Sequence, residues 1–176
     1  MPVLQHFPTA QQADPNSCWA CAAREIINWY NQLGLSGGQS YVSDKALADA
    51  WAVASHNNVH ADIHMQQSAA AALEDLGFTN NIDDYPLPTR DEIIAWINRG
   101  RPLLAIVGHT LPVPSPNPDY QNGHWVVIVG IVQLGQTYKL HVFDPDDGMI
   151  HHVDYDAALY RHGMYWQNTS YVDPYP

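Results

Sequence analysis

The chain has 176 residues, of which 46% are hydrophobic, so it is long enough to bury the core of one domain. Its 7 basic and 18 acidic residues give a net charge of -11, which disfavours nucleic acid and anionic membrane surfaces as partners, since both select for basic patches. No segment approaches the roughly 20 apolar residues that span a bilayer, and the N-terminus lacks the basic region and apolar core of a signal peptide.

The first half of the chain has the apolar spacing of helices. A helix buried on one side is predicted at 20–30, and a second helix at 43–51 with Ser43 as its cap. A third helix is predicted from about 62 to 76, where Gly77 supplies a helix-ending residue. A fourth begins at the capping box of Thr89 and Glu92 and runs through 96.

The second half changes to β-branched apolar runs, which are typical of strands. Strands are predicted at 103–107, 124–132, 137–143 and 149–153, with a weaker candidate at 164–172. Four prolines within 111–118 predict an extended loop ahead of His124. Helices followed by strands favour an α+β domain, with a helical part at about 15–100 and an antiparallel sheet part at about 101–176.

Cys18 lies where a thiol can become reactive. It follows the turn-forming stretch 14–17 and opens the first predicted helix, where the partial positive charge of a helix N-terminus stabilises the nucleophilic thiolate. Gln12 lies six residues upstream, His124 opens an apolar run far downstream, and Asp144 ends a later one. A thiol, a base, a group that orients the base and a donor for an oxyanion are the parts that acyl transfer requires.

These segments resemble the papain-like cysteine peptidases. Gln12 followed by Cys18-Trp19-Ala20-Cys21 resembles the glutamine and the Cys-Trp-Ala-Phe helix start of papain, with a cysteine in place of the phenylalanine. The segment 122–130, with His124 near its start and Gly130 at its end, resembles the strand that carries the family's histidine. The segment 143–148 departs from papain, because it offers Asp144 where papain has an asparagine; bacterial branches of the clan commonly use aspartate.

The resemblance implies one papain-like domain over 1–176, in which the cysteine helix packs against the sheet and the cleft lies between them. It implies that Cys18 attacks a peptide carbonyl to form a thioester, that His124 serves as base and acid, and that Asp144 orients the imidazole. Gln12 and the Cys18 N–H are expected to form the oxyanion hole. Lesser expectations at the cleft are Trp19, packing beneath it, Asn122 and Trp125.

Some alternatives stay open at this point. Asp146 and Asp147 are close enough to compete with Asp144 for the orienting role. Cys18 and Cys21 also form a C-x-x-C pair, so thiol-disulfide exchange is the strongest rival chemistry. The same fold also supports amide hydrolysis, deamidation or acyl transfer, and a catalytically idle binding module is a further interpretation.

The expected partner is a protein or peptide substrate, with no nucleic acid, membrane or cofactor, and the chain is expected to be a monomer. His56, His60 and His64 fall at helical spacing, but asparagines interrupt the run and no carboxylate or thiol completes a ligand set, so no metal is expected. The Asp-Pro-x-x-Gly context of Asp144 is similar to bacteriocin-processing peptidase domains and to avirulence-type effector proteases. This similarity implies a bacterial effector or toxin, cytoplasmic before export, that leaves through a specialised secretion system.

Overall fold

The computed structural model describes residues 1–55, 61–83, 87–108, 123–157 and 160–174, without the side chains of residues 80–83 and 162. Four α-helices lie in these residues: α1 Cys18–Gln32, α2 Asp44–Ala54, α3 Ala69–Asp75 and α4 Arg90–Asn98. The strands are β1 Phe78–Asp83, β2 Leu103–Gly108, β3 His124–Leu134, β4 Thr137–Asp144, β5 Met149–Asp154 and β6 Tyr165–Pro174. The α+β fold class is confirmed.

The strands form one antiparallel sheet in the order β1-β6-β2-β3-β4-β5. All five strands predicted in the second half are present, the weakest candidate as β6. Because β3 and β4 are antiparallel neighbours, the start of β3 and the end of β4 lie at the same end of the sheet. His124 and Asp144, 20 residues apart in the chain, are thereby brought together.

Helix α1 is the centre of the core. It is buried along nearly its whole length and packs against β3, α2 and α3. Its apolar spacing places Trp19, Ile26 and Tyr30 fully inside, and the Tyr30 hydroxyl donates to the carbonyl of Val172 in β6 at 2.7 Å. A helix buried all round has little freedom to shift, so its first residue is held rigidly against the sheet.

The residues before α1 join the sheet side of the molecule. Val3 pairs with Gly130 where β3 bulges, and the Leu4 N–H donates to the carbonyl of Val129 at 2.8 Å. Further along, the Gln12 N–H donates to the carbonyl of Pro145 at 2.8 Å. The segment 2–12, called the N-terminal segment below, therefore connects β3 to the turn that follows Asp144.

Two sequence predictions about elements are wrong. The third helix is shorter than 62–76: α3 starts at Ala69 behind a Ser68 cap, and 61–68 forms turns and irregular chain. Strand β1 lies inside the part expected to be helical, and pairs with β6. Its partner follows about 90 residues later, so local spacing gave no sign of it. Within the described residues, no helix combines the length and the apolar character needed to cross a membrane.

Candidate active site

Cys18 is the first residue of α1, directly after a tight turn. The Ser17 N–H donates to the Asp14 carbonyl at 2.9 Å, and the Asn16 N–H donates to an Asp14 carboxylate oxygen at 3.0 Å. The Ser17 side chain does not cap the helix. The first helical bond comes from the Cys21 N–H to the Ser17 carbonyl at 2.9 Å, so the helix itself does not use the Cys18 N–H.

The turn before Cys18 is anchored by Asp44, the first residue of α2, which is fully buried. One Asp44 oxygen accepts from the Ala13 N–H and from the Ser17 hydroxyl, both at 2.8 Å. The other forms an ion pair of 2.7 Å with Arg24 of α1, which is also paired with Glu25. Asp44 therefore ties the turn to two helices at once.

His124, at the start of β3, faces both Cys18 and Asp144. Its Nε2 lies 2.6 Å from Asp144 Oδ1, and the Cys18 side chain is near enough to raise the pKa of the ring. With Nε2 engaged by the carboxylate, Nδ1 is the nitrogen left for the sulfur. Cys18 is 2% exposed and the His124 side chain is 19% exposed, so the imidazole is the more solvent-accessible of the two groups.

The electrostatics of the three residues favour an imidazolium beside a carboxylate. Burial lowers the pKa of His124, but hydrogen bonds to Asp144 and Cys18 outweigh burial and raise the pKa to about 10. Burial raises the pKa of Asp144, but the hydrogen bond and charge of His124, with further donors, outweigh it and lower the pKa to about 2. At neutral pH the site therefore contains a positive ring held by a negative carboxylate.

Asp144 is surrounded by donors. Its Oδ1 accepts from His124 and from the Asp146 N–H at 3.0 Å, and its Oδ2 accepts from the Tyr160 hydroxyl at 2.9 Å and from Arg161 Nη1 at 3.1 Å. Asp147 instead pairs with His151 at 2.8 Å and with Arg161 at 3.3 Å. The structure thus places Asp144, rather than Asp146 or Asp147, against the imidazole.

Gln12 lies at the same end of the molecule, because its backbone is bonded to the residue after Asp144. Its side-chain Oε1 is buried, and no donor among the described residues reaches it. Buried amide oxygens normally accept a hydrogen bond, so this oxygen could accept one from a ligand, whereas the oxyanion role expected of Gln12 would use its Nε2 donors. The six-residue spacing to Cys18 spans the turn that Asp44 anchors.

Close packing around the turn after β4 requires a glycine. Gly148 has a φ of +68°, and a Cβ there would lie 2.6 Å from the backbone nitrogen of Gln11. Its N–H donates to the Asp144 carbonyl at 2.9 Å, which closes the turn. The Asp-Pro-x-x-Gly pattern therefore has a physical reason: the glycine lets the N-terminal segment pass against the turn.

The two tryptophans named at the cleft are both buried. Trp19 and Trp125 are exposed by only 0% and 2%, which is compatible with Trp19 packing beneath a cleft but leaves Trp125 no side-chain surface with which to line one. Their indole N–H groups donate to the carbonyls of Met65 and Gln67, each at 3.0 Å. They hold the irregular segment 61–68 beside the cysteine helix. Asn122 lies outside the described residues.

Cys21 lies in the core, fully buried. Its thiol donates to the Ala10 carbonyl at 3.1 Å, and burial raises its pKa, which keeps it protonated. Both cysteines are free thiols. A buried, protonated second thiol is a poor partner for disulfide exchange, so the geometry disfavours the C-x-x-C interpretation.

The histidine run offers no ligand set in the part of the chain that is described. His64 Nδ1 lies 2.7 Å from an Asp14 oxygen, and His56 and His60 fall outside the described residues, as do the four prolines of 111–118. No group of three histidine, cysteine or acidic side chains with metal-binding geometry occurs in the described ranges.

Sequence reasoning missed three residues of the site: Asp44, Tyr160 and Arg161. Asp44 had a visible but different signal, since an acidic residue just after the Ser43 cap is ordinary helix chemistry. Tyr160 and Arg161 precede β6, across a segment without any motif, and only the three-dimensional fold brings them to Asp144.

Comparison with known proteins identifies the family and the fold of the chain. A family model described as papain-like cysteine protease AvrRpt2 matches residues 3–161. The chain belongs to this family. No curated protein sequence matches the chain.

A solved structure from a study of the mite allergens Blo t 1 and Der p 1 is similar to the chain, with a TM-score of 0.60 at 13% identity. The match covers 94% of this chain and 66% of that one, so the chain spans less than two thirds of that structure's length. At this identity the likeness concerns the fold, which is papain-like.

Proposed function

We propose that the protein is a cysteine endopeptidase with Cys18 as nucleophile, His124 as base and acid, and Asp144 as the orienting carboxylate. The observation that carries the proposal is that one imidazole is bonded to the Asp144 carboxylate and also interacts with the Cys18 side chain. These groups come from α1, β3 and β4, far apart in the chain. Nucleophile, base and orienting group in contact are the signature of an activated nucleophile.

In the proposed reaction the Cys18 thiolate attacks the carbonyl carbon of a peptide bond and forms a tetrahedral intermediate. The His124 imidazolium gives its proton to the departing amine, which leaves a thioester on Cys18. Water, deprotonated by the now neutral ring, then hydrolyses the thioester. The raised pKa of His124 supports the first half of this cycle, because the ring carries the proton that the amine needs.

The negative oxygen of the intermediate needs donors. The Cys18 N–H is available, since helical bonding starts only with the Cys21 N–H. The Gln12 side chain is the second proposed donor, and the bond from its backbone to Pro145 fixes its position relative to the Asp144 turn. One donor of this kind contributes about 2.7 to 4 kcal/mol of transition-state stabilisation.

The test uses an unfolded protein as a general substrate, because the natural one is unidentified. Carboxymethylated casein is incubated with the purified protein, and the products are read by mass spectrometry. New chain termini that are absent with Cys18→Ala are the expected result. Side-chain glutamate at former glutamines without new termini would replace the peptidase proposal by a deamidase. Intact, unmodified casein together with slow alkylation of Cys18 would contradict both.

The proposed setting is that of a bacterial effector or toxin that acts on proteins of another cell. Support for it comes from the family to which the chain belongs. Expression of the chain inside a eukaryotic host cell tests the idea, with growth and new protein termini as the measurements. Growth inhibition that disappears with Cys18→Ala is expected. Equal inhibition by both proteins would argue against a catalytic effector.

A further inference from the structure

The donors on Asp144 Oδ2 have no part in the reaction steps, yet they are built into the fold. Tyr160 is buried, packs edge-on against Trp166 with ring centroids 5.2 Å apart, and donates to Oδ2 at 2.9 Å. Its backbone N–H donates to the Met164 carbonyl at 2.6 Å, which closes the short turn before β6. Contacts of the Tyr160 ring and of the Tyr160 backbone therefore hold its hydroxyl against Asp144.

The direction of the Tyr160 hydrogen bond is also fixed. The Asp144 carboxylate can only accept, so the phenol is the donor in the 2.9 Å bond. The Arg161 guanidinium donates to the same oxygen, Asp144 Oδ2, at 3.1 Å. Burial and the charge of Asp144 raise the pKa of Tyr160, which keeps this donor protonated.

Arg161 is held in turn by a second carboxylate. Its Nη1 lies 3.3 Å from Asp147, which His151 of β5 contacts at 2.8 Å and the Met149 N–H contacts at 3.1 Å. Although the Arg161 side chain is 29% exposed, its guanidinium is held by ion pairs to both Asp147 and Asp144.

We propose that Tyr160 and Arg161 are positioning residues, which act on His124 through Asp144 and make a carboxylate, rather than an amide, necessary at position 144. The inference rests on the proposed function, in which Asp144 orients the imidazole. It also accounts for the departure of this chain from papain, where an asparagine has that role.

Consider an asparagine at this position. If its carbonyl faces His124, its NH₂ occupies the place of Oδ2 and meets the Arg161 guanidinium, which can only donate. If the amide turns over, its NH₂ faces His124 Nε2 and the Asp146 N–H, and both of these are donors while the ring is protonated. Either orientation opposes donor to donor in a site that is nearly closed to water, where such contacts are costly.

The experiment measures the second-order rate of Cys18 alkylation by iodoacetamide near neutral pH, with mass spectrometry to locate the adduct. The thiolate displaces iodide, so the rate reports the reactive ion pair without any knowledge of the natural substrate. We expect Tyr160→Phe and Arg161→Gln each to slow alkylation by about 3- to 10-fold, the usual range for one lost hydrogen bond. Asp144→Asn should slow it by about 30-fold or more, because two contacts become repulsive.

The decisive comparison is the double variant. Arg161→Gln offers a carbonyl that can accept from the amide introduced by Asp144→Asn. Adding it to Asp144→Asn should therefore raise the alkylation rate at least about 3-fold, whereas alone it lowers the rate. Arg161→Lys keeps a donor and should give no recovery in the same background. A merely structural role for Arg161 predicts that both second substitutions lower the rate further.

Matched controls are Tyr30→Phe and Arg101→Gln. Tyr30 is a buried tyrosine that donates to the Val172 carbonyl, and Arg101 pairs with Asp173 at a similar exposure of 30%. Both should leave the alkylation rate within about 2-fold of the original protein, since their contacts lie away from Asp144. Circular dichroism shows that each variant is folded before its rate is compared.

The outcomes separate the two levels of inference. If the original protein alkylates at Cys18 no faster than a free cysteine, the proposed function itself is wrong. If it alkylates fast and Arg161→Gln lowers the rate of Asp144→Asn further, the peptidase proposal stands and the positioning proposal is overturned. If Tyr160→Phe does not fold, the sign of the Arg161→Gln effect in the two backgrounds still decides.

Discussion

Two aspartates in this protein are buried to nearly the same degree and bound by the same kinds of donor. Asp44 and Asp144 are exposed by 0% and 3%. Each accepts a backbone N–H and a hydroxyl, and each is paired with an arginine. Yet Asp44 lies under the turn that carries the thiol, and Asp144 lies against the imidazole.

The two aspartates differ in one further partner, beyond the backbone N–H, the hydroxyl and the arginine that both of them bind. The partners of Asp44 keep their protons throughout the neutral range, so its bonds can only hold the chain in place. Asp144 also holds His124, the one partner that gives and takes a proton in the proposed reaction. Similar surroundings therefore accompany a structural role in Asp44 and the proposed chemical role in Asp144.

The largest expected effect is on the sheet side. Asp144→Ala should lower kcat/KM for peptide cleavage by about 10⁴-fold, as loss of the orienting carboxylate does in related triads, because the imidazole loses its orientation and its stabilised charge. Casein cleavage measured by new termini checks this. Asp146→Ala is the control, since it keeps the N–H that Asp144 accepts, and it should stay near full activity. Equal losses in both variants would contradict the assignment.

On the helical side the expected effect is on stability. Asp44→Ala should lower the free energy of unfolding by about 3 to 5 kcal/mol, because it breaks a buried ion pair and leaves the Ser17 and Ala13 donors without a partner. Denaturant unfolding measures the change. Asp49→Ala removes the exposed ion pair with Lys45 in the same helix and should cost at most about 1 kcal/mol. A small loss of unfolding free energy in Asp44→Ala would mean that the turn before Cys18 is stable without its contacts to Asp44.

Gln12→Ala sharpens the comparison, because the bond that Gln12 makes to the Asp144 turn comes from its backbone N–H and is kept in the variant. We expect kcat to fall by about 10²- to 10³-fold through loss of one oxyanion donor, while alkylation of Cys18, which forms no oxyanion, stays nearly unchanged. Gln11→Ala is the neighbouring control, as its amide donates to the Asp146 carbonyl on the surface at 2.9 Å. Parallel losses in cleavage and alkylation would point instead to a disturbed thiol.

The sequence predicted the parts of the site that are marked by local chemistry. Cys18 at a helix start and His124 at a strand start are visible in the pattern, because helix and strand periodicities place the ends of elements. Asp144 was separated from Asp146 and Asp147 only by the structure, since all three belong to one turn.

What the sequence did not predict depends on contacts between distant segments. Strand β1 forms by pairing with the edge of β6. The segment 61–68, ahead of the short α3, is hydrogen-bonded to two indoles instead of continuing the helix. Tyr160 and Arg161 act from a turn that has no motif of its own. Trp125 was placed at the cleft by its adjacency to His124 in sequence, although its ring is buried.

The pH dependence of cleavage should separate the two aspartates again. His124 must be protonated to supply the leaving amine, so kcat/KM should fall about tenfold per pH unit above its pKa of about 10. The raised pKa of His124 also stabilises the fold. This contribution to the free energy of unfolding is complete at pH values below the ordinary pKa of 6.5 and is lost as pH rises through about 10. A full pH profile of casein cleavage measures the alkaline limb.

In that profile Asp44→Ala should leave the alkaline limb in place, whereas Asp144→Asn should move it to lower pH, because the ring loses a bond that favours its charged form. Alkylation of Cys18 should not decline along this limb, since it needs no proton donor. A limb that stays at the same pH in Asp144→Asn would show that another group controls it.

The smallest expected effect concerns the second thiol. Cys21→Ala should leave cleavage and alkylation within about 2-fold of the original protein and cost about 1 kcal/mol of stability, because it removes a buried sulfur and the donor to the Ala10 carbonyl. Cys21→Ser keeps that donor and serves as the control. A redox pair would behave differently, since removal of either cysteine abolishes disulfide exchange. Loss of all activity in Cys21→Ala with stability intact would therefore favour the C-x-x-C chemistry. It would also remove the contrast between Asp44 and Asp144, because neither carboxylate takes part in disulfide exchange.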